Sequence, residues 1–533
     1  MIILLASLLI FLLGYFLYGK FLVRLFEVEK EKDTPAFANY DGVDYVPAKN
    51  WFMLYGHHFA SISGAGPIIG PVFAAMVWGW FPALLWIVIG SVLFGGVHDF
   101  GSLIVSVKEG GSSVVDLTGK VISKRAKIIF SLFVWLALIL IIAVFAYLSA
   151  ETFIKQPKIV LPSLGLIPIA MIAGYLLYAK RANTILVTFF GLVCLVVLMV
   201  IGNTHPIHAS FNFWMLALFI YCFFASILPV NVLLQPRDYL SSFLLFFGVG
   251  VGLIGLFLIR PTVTMPAYIR GGSSVGPMWP SLFVIVACGA ISGFHSLIAS
   301  GTSSKQIASQ RHARRIGYGA MLVEGLVAVL AVITVAIMFG PNDDFADALK
   351  HTGPIGIFAR GYGFLARPML AGYGTIIAIA ILNTFILTTL DTATRVSRYL
   401  TEELFKIKNR FVSTFLIVGF AAALAYSGQW NKIWPVFGAA NQLVAALALF
   451  VISCWLAAKK RPNFVTLLPA LFMFITTVAA LIFQAMKYAA GNDIILLVVT
   501  VVLMVLALIM AVEILLRVCR RKQDVVSVDT KKT

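Results

Sequence analysis

Apolar and polar positions in this chain segregate over tens of residues instead of alternating within helical turns. Runs apolar enough to cross a hydrocarbon layer of roughly 30 Å fall at about 2–26, 51–76, 81–107, 127–154, 160–179, 183–202, 211–235 and 240–260. They continue at 279–304, 316–340, 368–391, 412–427, 435–457, 463–486 and 492–516. The pattern predicts an all-α integral membrane protein of about 15 transmembrane helices. The opening run, Met1 to Phe26, lacks a basic leader and a small-residue cleavage site, and it is longer than a signal-peptide core, so it reads as a retained first helix. The longest stretches between runs, near 27–50, 261–278 and 391–411, are each about twenty residues. Recognition and any chemistry therefore belong inside the membrane or at its surfaces.

Composition sharpens this picture. Of the 533 residues 61% are hydrophobic and only 12% charged, and the mean hydropathy is +0.98, well beyond a soluble domain. The net charge of +18 does not indicate nucleic acid, because the basic residues sit in short loops at helix ends and no basic patch is interleaved with aromatics. If the loop carrying Lys30, Lys32 and Lys49 is cytoplasmic, alternation places the segments 108–127, 180–181, 305–315, 395–410 and 459–461 and the tail from Arg517 on the same side. Roughly 31 of the 40 Lys and Arg then lie there. This predicts an N-terminus outside and a C-terminus in the cytoplasm. Cys194, Cys222, Cys288, Cys454 and Cys519 form no CxxC pair and read as small core residues, with neither a disulfide framework nor a metal site implied.

Two apolar runs break the rule that a helix in lipid stays continuous. The second carries GHHFASISGAGPIIGP (Gly56 to Pro71), with Gly64, Gly66 and Gly70 among Pro67 and Pro71. The seventh carries FFASILPVNVLLQPRDY (Phe223 to Tyr239), interrupted around Pro229 and again near Pro236. With the first helix peripheral, these runs begin two consecutive sets of five helices, which then enter the membrane from opposite sides. Gly/Pro-interrupted segments at matching places in two halves point to a transporter's binding site. Half-helix N-termini there present free N–H groups to an anion, and unwound carbonyls hold a cation.

Polar side chains within the runs supply the remaining candidates. His57 and His58 are adjacent and point about 100° apart on a helix. They are either titrating or substrate-binding imidazoles beside the break, or hydrogen-bonded structural histidines. No HxxxH or HExxH spacing makes them metal ligands. His98 and Asp99, in GGVHDF, place a carboxylate inside the third helix, where it is functional or partners a buried base. In CGAISGFHSLIASGTSSKQ (Cys288 to Gln306), Ala299, Thr302 and Ser303 share one helix face and would suit a small hard cation. Their hydroxyls also commonly bond the preceding turn, and Lys305 close by supplies a positive charge in place of an ion. Asp391 is spaced to pair with Arg395.

GHHFASISGAGPIIGP, SGFHSLIASGTSSKQ, MLVEGL (Met321 to Leu326), LTTLDTATRVSRY (Leu387 to Tyr399) and WPVFGAANQLVAALAL (Trp434 to Leu449) together resemble the carbon starvation protein A family. The resemblance runs from about Asp41 to about Leu449. It implies a bacterial inner-membrane transporter made under carbon starvation, a stress response, and linked to peptide uptake and to proton-coupled pyruvate uptake. It also implies a leucine-transporter-type 5+5 inverted repeat of the amino acid–polyamine–cation superfamily. On that basis residues 1–30 form a peripheral helix, 51–202 and 211–391 the two repeats, 412–519 four C-terminal helices and 520–533 a cytoplasmic tail. Under the same resemblance Ala299, Thr302 and Ser303 look like a sodium-site pattern, with the carbonyls near Ser63–Gly66 opposite.

The expectation is a symporter, not an enzyme, importing pyruvate or small peptides with a proton or sodium ion and needing no other cofactor. Its partners are the small-molecule substrate and the bilayer. Substrate candidates are His57, His58, Ser63, Gly64 and Gly66 at the first break, Pro229 and Asn231 at the second, and His295. Coupling candidates are Ala299, Thr302, Ser303, Lys305, Asp99 and His98. A membrane-embedded hydrolase is the rival class, but the chain lacks HExxH and GxSxG; a channel is the other.

Overall fold

The computed structural model describes residues 1–29, 33–270, 276–427 and 430–529, the side chains of 427, 430–433 and 517–529 excepted. Lys30, Lys32 and the tail from Arg517, Cys519 included, thus lie outside the described side chains. Regular structure among the described residues is helical. Besides short helices at Pro35–Ala38, Val114–Val121 and Phe345–His351 in the connections, the helices are α1 (Ile2–Leu25), α2 (Trp51–Ile62), α3 (Gly66–Trp78), α4 (Trp80–Lys108), α5 (Lys124–Lys155), α6 (Pro157–Ala179), α7 (Thr184–Thr204), α8 (Phe211–Ile227), α9 (Leu234–Ile259), α10 (Met278–Ile285), α11 (Gly293–Gly301), α12 (Gln310–Ala336), α13 (Gly353–Leu370), α14 (Gly374–Phe405), α15 (Arg410–Ser427), α16 (Trp430–Ala458), α17 (Phe464–Ala490) and α18 (Ile494–Asp529). Eleven helices are long and apolar enough to cross a membrane, or up to twelve with α2 and α3 taken as one span bent by 42°. Of the remaining expected runs, those at 211–235 and 412–427 form the shorter helices α8 and α15. The run at 279–304 is split into α10 and α11.

That split corrects the sequence reading. The seventh run is not a broken helix: α8 ends at Ile227 and α9 begins at Leu234, with Pro236 in its first turn, where a missing N–H costs nothing. The second interruption lies at 286–292, VACGAIS. The first lies at 63–65, as the glycines and prolines indicate. Asn50 caps α2 by accepting from the Met53 N–H (2.8 Å). Pro67 stands in the first turn of α3, and Pro71 removes a donor inside it.

The long helices α5 and α14 pack along each other, and both contact α8 and α15. Around them α2 packs on α9, α3 and α4 pack on α12, and α11 packs on α4 and α16. The connections gather at two ends. At one, Val230 N–H donates to Val43 O, Ala48 N–H to Gln306 O, and Lys49 Nζ to Ala182 O. At the other, Phe81 N–H donates to Ala267 O and Thr264 N–H to Ala336 O. The first end holds most of the loop Lys and Arg.

Candidate functional site

The two interruptions meet. A Cβ on Gly66 would lie 2.3 Å from Cys288 Sγ, and one on Gly70 would lie 2.3 Å from Ile285 O, so only glycine allows this approach. The carbonyls released at the end of α2 are met by hydroxyls of α14: Thr388 Oγ1 donates to Ala60 O (2.8 Å) and Thr389 Oγ1 to Ser61 O (3.1 Å). Ser63 Oγ is buried with no hydrogen bond among the described residues, and the N-terminus of α3 has no side-chain cap. Ser63, Gly64 and Gly66 therefore line a crossing with free hydrogen-bonding capacity.

A polar cluster surrounds the second interruption. Asp99 of α4 accepts from His98 Nδ1 (2.8 Å) and from His295 Nδ1 (2.9 Å) of α11. His295 Nε2 lies 3.3 Å from Glu324 Oε2 of α12. The backbone of Ile62, at the end of α2, borders the same ring. Asn441 of α16 accepts from the Phe294 N–H (2.8 Å) and donates to Ser292 Oγ (2.9 Å). All of these side chains are buried.

A second cluster hangs from the first interruption. His57 Nδ1 lies 2.7 Å from Asp238 Oδ2 of α9, to which Ser61 Oγ also donates (3.3 Å). The Arg237 guanidinium bridges Asp238 (2.8 Å) and Asp391 of α14 (3.1 Å), and Asp391 accepts from the Tyr221 hydroxyl (2.7 Å). Gln306 donates to His57 Nε2 (3.4 Å), and His58 Nδ1 meets Ser303 Oγ (2.7 Å). Two buried carboxylates face one guanidinium, so one carboxylate charge is left without a fixed cation in this cluster.

Several sequence expectations are corrected here. Ala299, Thr302 and Ser303 do not share a continuous helix face, because α11 ends at Gly301. Thr302 Oγ1 bonds back to Ile298 O (2.9 Å), while Ser303 faces His58. Pro229 and Asn231 lie in the connection beside Val43, at the basic end, away from both interruptions. Asp391 pairs with Arg237, and Arg395 with Asp44 (3.1 Å). Lys305 stands 4.5 Å from the Tyr399 ring centroid and 5.1 Å from that of Tyr45, at the basic end. It lines a cavity of about 290 Å³ there with Ser300, Asp116 and Glu403. Arg237, Asp238, Tyr221, Thr388, Thr389 and Asn441 escaped the sequence reading as site residues, and Cys288 passed as core. An ionisable residue within or beside an apolar run was the available signal for Arg237 and Asp238.

The chain matches the family described as Carbon starvation protein CstA over residues 1–346 and 342–480. It is 35% identical to the peptide transporter CstA of Bacillus subtilis, over 89% of this chain and 88% of that protein. It is 31% identical to the pyruvate/proton symporter BtsT of Escherichia coli, over 89% of this chain and 80% of that one. Among solved structures it resembles in fold a manganese transporter of Eremococcus coleocola (TM-score 0.55, 15% identity), over 90% of this chain and 99% of that one.

Proposed function

The chain belongs to the carbon starvation protein CstA family and is a multi-pass membrane transporter; from that premise we propose a symporter that brings a small carboxylate-bearing nutrient, pyruvate or a short peptide, across a bacterial inner membrane together with a proton. The observation that carries this reading is the contact of two interrupted helices at Gly66 and Cys288. The uncapped start of α3 and the free Ser63 hydroxyl offer N–H and O–H donors to a carboxylate. His57 and Asp238 would carry the proton, because their cluster needs one for neutrality and His57 lies one to two turns from the first break.

Packing supports a 5+5 inverted repeat with boundaries other than 51–202 and 211–391. Pairing α2/α3 with α10/α11, α4 with α12, α5 with α14, α8 with α15 and α9 with α16 makes the helix neighbours correspond. Thus α5 packs on α15 as α14 packs on α8, α2 on α9 as α10 on α16, and α4 on α11 as α12 on α3. The repeats are then 51–259 and 278–458, each with an insertion, α6–α7 in the first and 345–370 in the second. If α13 stays on the sparsely basic side, the count is fifteen crossings, with the N-terminus outside and the C-terminus cytoplasmic.

Labelled-pyruvate uptake by the purified protein in proteoliposomes tests the function. Pyruvate anion with one proton is electroneutral and follows the pH gradient alone. A zwitterionic peptide with one proton also gains about 2.3 kcal/mol per 100 mV. Saturable, acid-driven uptake indifferent to di- and tripeptides assigns pyruvate; competition and voltage dependence assign peptides. Uptake of neither would overturn the reading.

A further inference from the structure

We propose that Cys288, His295 and Glu324 form a binding site for a divalent transition-metal ion of the zinc type, buried where the two interrupted helices cross. One ligand atom from each lies within 4.8 Å of the others, and all three residues are buried. Three features distinguish this group from an ordinary buried cluster.

Neither Glu324 carboxylate oxygen, nor His295 Nε2, has a hydrogen bond among the described residues. A bare carboxylate away from water is among the costliest groups a membrane protein can hold. In the tautomer in which His295 donates its Nδ1–H to Asp99 (2.9 Å), Nε2 is left as a lone pair. That lone pair lies 3.3 Å from Glu324 Oε2 and is not aligned for hydrogen bonding. Two electron-rich atoms at that separation repel unless a cation lies between them. Two ligands each about 2.0–2.1 Å from a tetrahedral ion stand about 3.3–3.4 Å apart.

The surroundings match a metal's outer shell. A ligating histidine almost always donates its other ring N–H to a carboxylate, which orients it and strengthens it as a ligand. Asp99 fills that role and is itself held by His98 (2.8 Å). The Cys288 thiol donates to Ser292 Oγ (3.6 Å), and Asn441 Nδ2 donates to the sulfur from 3.9 Å, so polar groups already orient Cys288 Sγ.

Charge gives the third argument. A thiolate and a carboxylate sum to two negative charges beside a neutral imidazole, and a divalent ion cancels them. Sulfur, nitrogen and one oxygen select zinc-like ions over sodium, magnesium or calcium. Three protein ligands leave one position open. The motif escaped the sequence because its ligands come from a helix interruption, α11 and α12, with no short spacing to betray them. The proposal does not depend on which nutrient is carried.

The test uses the full-length purified protein in nanodiscs, stripped with chelator and titrated with Co²⁺, then with Zn²⁺ in competition. The expected result is one Co²⁺ per chain with a thiolate-to-cobalt charge-transfer band, displaced by Zn²⁺. Cys288→Ser abolishes the band, and Glu324→Gln weakens binding about 10- to 100-fold. Cys222→Ser, which alters a buried thiol in α8, leaves both unchanged. No cobalt bound to the wild-type protein, or a band that survives Cys288→Ser or disappears in Cys222→Ser, would overturn the proposal. Absence of cobalt would assign the neutralising charge on Glu324 to a proton. Because the wild-type protein and Cys222→Ser decide on their own, a misfolded Cys288→Ser does not leave the question open.

Discussion

Replacing Gly70 by alanine tests whether the two interruptions are in contact. The added Cβ would lie 2.3 Å from Ile285 O, 3.2 Å from Ile285 C and 3.3 Å from Val286 Cα, all backbone atoms that cannot rotate aside. Relief needs α3 and α10 to separate by roughly 1 Å, an overpacking strain of about 1–3 kcal/mol. Alanine also favours a helix over glycine by about 1 kcal/mol, so the comparison needs a glycine-to-alanine control. Gly250 in α9 has nothing within 4 Å of its would-be Cβ. The difference between Gly70→Ala and Gly250→Ala isolates the clash at about 1–3 kcal/mol. If the clash falls on one transport conformation, populations shift about 5- to 150-fold. Thermal unfolding followed by intrinsic fluorescence, with proteoliposome uptake alongside, reads both quantities. Equal stability and uptake in the two variants would refute the crossing at Gly66, Gly70 and Ile285–Cys288, and the proposed function with it.

Arg237→Met leaves Asp238 and Asp391 buried without their cation, a loss of about 3–5 kcal/mol; little monodisperse protein should survive size-exclusion chromatography, and a normal peak would contradict the ion-pair assignment. His57→Gln and Asp238→Asn should abolish uptake driven by an acid exterior while retaining substrate exchange at equal pH; loss of both activities alike would remove the pair from proton coupling. Asp44, in the loop before α2, is pushed up by burial, but Arg395, the Tyr399 hydroxyl, Arg398 and Lys305 outweigh this and hold its carboxyl below the usual range. A depressed folded-state value means its stabilisation is complete above the ordinary carboxylate range of about 4 and is lost only as pH falls through the lowered value. Asp44→Asn should therefore lower thermal stability equally at about pH 5 and about pH 8, and an effect confined to one end would contradict the sign.

The sequence marks the first interruption and misplaces the second for one physical reason. Proline signals a break loudly, yet Pro229 and Pro236 stand where α8 gives way to α9 at the basic end, an ordinary place for proline. The true interruption, 286–292, is proline-free, and its small residues read equally well as close packing. Apolar run lengths located the helices, because a bilayer imposes them. Partners were less legible. Asp391 and Arg395 are spaced for a mutual ion pair but bond to Arg237 and Asp44, because their side chains leave α14 in different directions, toward α9 and toward the loop before α2. Glu324 gave the right kind of signal, a carboxylate in an apolar run, without indicating which residue would face it.

Each interrupted helix is thus bound to helices remote in sequence by its own buried cluster. His57 and Ser61 tie α2 to α9 and α14, while His295 and Phe294 tie α11 to α4 and α16. The clusters touch through His58–Ser303 and His57–Gln306, which join α2 to the segment just after α11. Sliding of α2 past that segment must break these two bonds, and single buried hydrogen bonds contribute only about 0.5–1.5 kcal/mol each. The charged links within each cluster are harder to break. The weaker of these polar connections therefore run between the two interrupted helices and the stronger within each cluster, and each cluster joins one repeat to the other.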